Sequence, residues 1–170
     1  MNPNLEALFN EPEKAYLRPD ELNVLSQFVS SLPERINLYR RLRNDELALM
    51  QAVADTLQQQ FSQASEAHLE RSLQNGVLVL RCAAMAMLMD DPDFMTKRLK
   101  PWLPDIIEAY GTQPIDEALY ELLKQQLSSR LAPKQKALLF PGLETAQALL
   151  SLQEAEAEAA VTTETLVGLF

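Results

Sequence analysis

The run Gly76–Met89, GVLVLRCAAMAMLM, limits this chain more than any other stretch. It is the most continuously apolar helix candidate present, broken only by Arg81. A helix that is apolar all round belongs inside a protein, so the remaining elements are expected to pack around it. Asp90, Asp91 and Pro92 end it, because the residue before a proline is disfavoured in the α conformation. A second segment follows in which Phe94, Met95, Leu99, Leu103, Ile106 and Ile107 recur at helical spacing. Pro101 and Pro104 remove two backbone donors from it, which predicts two short helices with a bend. A wall and a floor of this kind can enclose a flat ligand or be filled by side chains.

The whole chain has 170 residues, enough for one domain with one substantial core. Only four glycines are present, and Leu, Ala, Gln and Glu dominate, all good helix formers. The fold class expected is all-α. A net charge of -9 opposes nonspecific binding to nucleic acid and favours a cationic partner surface. One cysteine excludes an intrachain disulfide framework and suits a reducing compartment. The start lacks the basic and apolar regions of a signal peptide. Gly76–Met89 is too short, and too interrupted by Arg81, to be expected across a bilayer. A cytoplasmic protein without membrane insertion is expected.

Along the chain, Leu5, Leu8 and Phe9 mark a short apolar start. Pro19-Asp20-Glu21 opens a body helix with proline and acids at its positive end. Its stripe is Leu22, Leu25, Phe28, Val29 and Leu32, and Pro33 is expected to break it or to open the next helix. Asn44-Asp45-Glu46 reads as a further interruption, dividing the stretch from Glu34 to Phe61 in two. Arg35, Arg40, Arg41 and Arg43 form a basic patch, read as a solvated face. After a Gly111 helix cap, Ile115–Leu131 is amphipathic, with Tyr120 placed partly outside. A last helix covers Lys134–Leu152, broken or bent at Pro141-Gly142, and its acidic continuation is set apart as a tail over 153–170, whose first part, rich in Ala and Glu, can prolong the helix.

The stretch from Ser72 to Gly111 resembles the phycobiliproteins, the bilin-carrying, globin-like subunits of phycobilisomes. The likeness runs ungapped through Gly76, Leu80-Arg81, Leu88, Asp91, Arg98, Leu103 and Gly111, with Tyr16-Leu17 and Asp20-Glu21-Leu22 as a matching entry. It implies a globin-like phycobiliprotein-type fold over residues 1–152, including an N-terminal helical extension over 1–18 that projects to clasp a partner subunit.

The resemblance also implies where pigment would be held, and there the chain departs from the family. The family's thioether cysteine, propionate-pairing arginine and pyrrole-binding aspartate fall on Ser72, Gln74 and Asn75. A hydroxyl cannot form the thioether, and a neutral amide cannot hold protonated pyrroles as a carboxylate does. No covalent bilin, and no other cofactor, is expected. Cys82 lies about 15 Å further along the helix and is rotated by roughly 80°, so it reads as a buried apolar-like residue instead.

Catalysis has no foothold in the sequence. One His and one Cys cannot form the usual zinc site, so no metal is expected. His68 reads as an exposed helix-start residue and not as a haem ligand. Asp90, Asp91 and Asp93 read as a turn heading the next helix. What the resemblance leaves is association: its central-helix arginine, here Arg81, ion-pairs with an acid on a partner's N-terminal segment. Glu11, Glu13 and Tyr16 lie on the matching segment here, and an acid within the chain is the competing partner for Arg81. The function implied is that of a non-enzymatic phycobilisome-related protein, at the thylakoid surface through the antenna. Its partners would be phycobiliprotein subunits, linker proteins or a second copy of the chain. A noncovalent tetrapyrrole carrier or sensor and a pigment-free stress-signalling domain are the alternatives.

Overall fold

The structure, a computed structural model, describes residues 2–10 and 16–167, with side chains for all of these except Asn4 and 151–167. Among the described residues the chain is all-α: α1 (Pro3–Phe9), α2 (Pro19–Gln60), α3 (Glu66–Met89), α4 (Phe94–Leu99), α5 (Leu103–Tyr110), α6 (Gln113–Arg130) and α7 (Pro133–Val167). The apolar run of the sequence is the carboxyl-terminal part of α3, which packs against α2, α4, α6 and α7. Val79, Leu80, Ala83 and Met87 are buried there beside Leu38, Leu49, Leu119, Leu123 and Leu139. Each large side chain so buried contributes about 1.5–3 kcal/mol. By length and composition alone α3 could cross a bilayer, since it begins ten residues before the run read from the sequence. Its buried face is instead the centre of this body.

Two expected breaks are absent. α2 is one helix of 42 residues, about 63 Å long, passing through both Pro33 and Asn44-Asp45-Glu46. The hydroxyls of Ser30 and Ser31 donate to Gln27 O and Phe28 O, each at 2.9 Å, in the turn before the proline. They bond carbonyls in the turn beside Val29 O, the one carbonyl that loses its i+4 amide to the proline. At the second site Asp45 pairs with Arg41 at 3.7 Å and Glu46 with Arg81, so neither side chain caps a helix start. Leu42, Leu49, Val53 and Leu57 hold one buried face straight through. α7 likewise runs unbroken across Pro141, where the Thr145 hydroxyl donates to Pro141 O at 2.9 Å. The acidic segment set apart over 153–170 continues α7 as far as Val167, as a stretch rich in Ala and Glu can.

The turns follow the sequence more closely. α3 ends at Asp90, the one non-glycine residue with a positive φ (53°) among the described residues. Asp tolerates this left-handed conformation better than most residues. α4 and α5 are the two short helices expected around Pro101 and Pro104. Gly111 (φ 61°) caps α5, and its amide donates to Glu108 O at 3.0 Å. Gly76 has a different role. A Cβ there would lie 2.6 Å from Leu119 Cδ2, so the Leu119 side chain of α6 fills the space a side chain on α3 would need.

Among the described residues of the N-terminal extension, Pro3–Phe9 form α1. α1 packs on α2, with Leu5 buried, and Asn2 Nδ2 donates to Asp90 Oδ2 at 2.9 Å. Phe9 stays exposed.

Candidate functional site

The three pigment-equivalent positions on α3 part company in space. Successive residues on a helix are 100° apart, so Ser72 and Asn75 share a face while Gln74 turns away. Ser72 is fully buried and Asn75 is 4% exposed. Gln74 is exposed and donates through Nε2 to Glu70 Oε1 at 3.0 Å, one turn back. Ser72 lies on the side of α3 that meets α6, where its hydroxyl acts on Asp116, and near the close Gly76–Leu119 approach; Asn75 is buried one turn along.

That face carries further polar groups which the sequence reading passed over. Thr112, the residue just before α6, and Asp116 and Tyr120, spaced one turn apart along it, are all buried. Tyr120, expected partly outside, is only 2% exposed. Burial pushes the Asp116 carboxyl up to about 6, while the nearby Thr112 and Ser72 hydroxyls pull it back. Burial, with the Asp116 carboxyl adding to it, pushes the Tyr120 phenol well above its usual range. The signal in the sequence was position: Asp116 lies on the same apolar stripe as Ile115, Leu119 and Leu123, where an exposed acid would not sit.

Two cavities open elsewhere. One of about 460 Å³ lies at the carboxyl end of α3, lined by Arg35, Met87, Asp90, Met95 and Leu138, with Asn2 at its edge. Arg35 was read as part of a solvated patch, yet it is 7% exposed. Its guanidinium donates to Met87 O and to Asp90 Oδ1, the latter at 2.5 Å, and its Nε donates to Ser31 Oγ at 3.0 Å. The residue is a structural tie between α2 and the end of α3. It also changes the reading of the acidic turn, where Asp90 has an ionic partner from α2. Arg40, Arg41 and Arg43 are exposed as expected.

The second cavity, about 280 Å³, lies between α2 and α3 and is lined by Tyr39, Leu42, Arg43, Glu46, Arg81 and Met85. Ser72, Gln74 and Asn75 line neither cavity. Arg81 is held here within its own chain: its Nε and Nη2 donate to the two Glu46 carboxylate oxygens at 2.8 and 2.6 Å. These bonds hold the Glu46 carboxyl below its usual range and raise the guanidinium further. The Arg81 side chain is still 60% exposed, with Leu47 (81%), Leu78 (44%) and Met85 (37%) exposed on the same two helices.

Of the other expected partner residues, Tyr16 is 90% exposed, whereas Glu11 and Glu13 lie outside the described residues. His68 is exposed in the first turn of α3, where its amide donates to Ser65 Oγ at 3.2 Å. Cys82 is half-buried, and burial raises its thiol above its usual range while Arg98 lowers it.

Residues 10–161 match the family model described as phycobilisome protein. No curated protein matches the chain.

Proposed function

Because the chain belongs to the phycobilisome protein family, whose role is light harvesting, we propose that it serves the antenna without a covalently attached bilin, and does so by binding other proteins. Its all-α, globin-like fold is that of the family. One observation carries the pigment-free reading. The position from which the resemblance would attach a bilin is a serine hydroxyl, fully buried on the face of α3 that meets α6. It offers neither the sulfur nor an open face.

Association has its own support. Arg81 is more than half exposed although bonded to Glu46, and exposed Leu78 and Met85 lie one turn before and one turn after it on α3. An apolar patch around a fixed, oriented guanidinium is the composition of an interface centre. We assign that patch, with Tyr16 and the Glu11–Glu13 segment, to contact with a phycobiliprotein subunit or a linker protein. The net charge of -9 suits a basic linker surface. Nothing in this role requires catalysis, and we propose none.

The test is capture from a pigmented lysate with the tagged chain, followed by a visible spectrum of the denatured protein. Recovery of phycobiliproteins or linkers by a chain that is colourless after denaturation is expected. Colour that survives denaturation overturns the pigment-free part, and failure to enrich antenna proteins overturns the association. Arg81→Leu sharpens the second arm. Removing an exposed ion pair costs the fold no more than about 1 kcal/mol, whereas a truncated interface charge weakens binding tenfold or more. Unchanged sedimentation of the complex with this variant counts against a place for Arg81 in the interface.

A further inference from the structure

Five side chains at the meeting of α3 and α6 have buried polar atoms without a hydrogen-bond partner of normal geometry: Ser72 Oγ, Asn75 Nδ2, Thr112 Oγ1, both oxygens of Asp116, and the Tyr120 hydroxyl. None of the five residues is more than 4% exposed. A buried polar atom left unbonded costs about 1–3 kcal/mol, and a native structure holds few of them. Such a concentration at one helix crossing needs a reason.

The chemistry of the set supplies one. Asp116 is fully buried and neither of its oxygens accepts a bond of normal geometry, so a charge there is desolvated without a partner, whereas the neutral carboxyl can itself donate to a neighbouring hydroxyl. Thr112 and Tyr120 lie one turn before and one turn after Asp116, and Ser72 and Asn75 are one turn apart on α3. We propose that Asp116 is the proton-binding centre of a buried latch between α3 and α6, in which the neutral carboxyl group is accommodated and the ionised one loosens the crossing.

The surroundings are consistent with a lone, uncompensated acid. On α3, Arg71 stacks over the Tyr110 ring of α5 at 4.5 Å, and Glu70 accepts from Gln74. On α2, Asp55 accepts from Gln51. Further along α6, Lys124 and Glu121 are engaged with Gln147 of α7 and with each other. None of these groups is a cause of the Asp116 shift. Burial is the largest cause, opposed only by Thr112 and Ser72, and it moves the carboxyl from 3.8 to about 6. Tyr120 is coupled to it, and that phenol stays neutral.

A raised folded-state value means that the folded chain holds the proton more tightly than the unfolded chain. Stability therefore falls as pH rises from 3.8 towards about 6 and is level above that. The full change in the unfolding constant is roughly a hundredfold, of which about tenfold falls between about pH 5 and about pH 7.5.

Asp116→Asn keeps the shape and removes the proton site. Urea unfolding of both proteins across that interval isolates the acid from the other carboxylates of the chain. The wild-type unfolding constant, divided by that of the variant, is expected to rise about tenfold from the acid to the neutral end. A ratio that does not change with pH overturns the proposal. If the variant does not fold, infrared spectroscopy of the wild type with labelled aspartate decides the matter. A buried protonated carboxyl band that persists to about pH 6 supports the latch, and its absence at about pH 5 overturns it. Ser72→Ala, which removes one of the two opposing hydroxyls, should move the band's midpoint upward. Partner capture does not enter these measurements, so the latch and the proposed function can fail separately.

Discussion

Asn75→Asp is expected to destabilise the chain by about 3 kcal/mol at neutral pH, although it restores the carboxylate that the resemblance would place there. Asn75 is 4% exposed and its amide nitrogen has no partner. An acid at this position would be buried on the face that also holds Asp116, with no cation among the described interactions there. An unpaired buried charge costs several kcal/mol, or else takes a proton instead. The loss should therefore shrink as pH falls towards about 5, where protonation removes the charge. Gln74→Arg makes the contrast, because Gln74 is exposed and a surface change of this kind stays within about 0.5 kcal/mol. Urea denaturation of the two variants decides the matter. Equal stability of Asn75→Asp and wild type at neutral pH would show that this face of α3 opens to solvent and is not closed by α6.

Arg35→Ala is expected to cost about 2–3 kcal/mol and to lower the melting temperature by about 5–10 °C. The guanidinium is the only described group that bonds both the Met87 carbonyl and the Asp90 carboxylate at the end of α3. Removing it leaves the Met87 carbonyl with only the 3.3 Å bond from the Asp90 amide, and a carboxylate without its cation. The Asp90 side chain is 38% exposed, so solvent screens part of that loss and the upper range for fully buried pairs does not apply. Arg35→Lys keeps the charge but not the planar fork, and should recover less than half of the loss. Thermal unfolding followed by circular dichroism checks both. An Arg35→Ala protein that melts with the wild type would place the tie between α2 and α3 elsewhere.

These two residues show where sequence reading succeeds and where it stops. Arg35 and its neighbours in sequence look alike as a string of arginines, and nothing in their order marks the one that turns inward. Only the packing of α2 across the end of α3 brings Asp90 to it, from 55 residues away. Glu46 and Arg81 are a second case, 35 residues apart. The sequence proposed an acid for Arg81 either on a partner or within the chain, and the helix pairing supplies Glu46 from within. Pro33 and Pro141 mislead for the opposite reason. A proline removes one hydrogen bond, while tertiary burial of an apolar face along the whole helix contributes many times that amount.

Sequence alone determined the helical class, the central position of Gly76–Met89, the acidic turn after it, the paired short helices and the Gly111 cap. All of these rest on interactions between residues a few positions apart, or on apolar periodicity, and both are written directly in the order of residues. It also determined that Ser72 carries oxygen where the resemblance requires sulfur. Only the tertiary structure decided that Ser72 and Asn75 are enclosed with Thr112, Asp116 and Tyr120 while Gln74 faces water. The energy of a buried polar group depends on what the opposite helix places against it, and that partner lies about forty residues along the chain from Ser72.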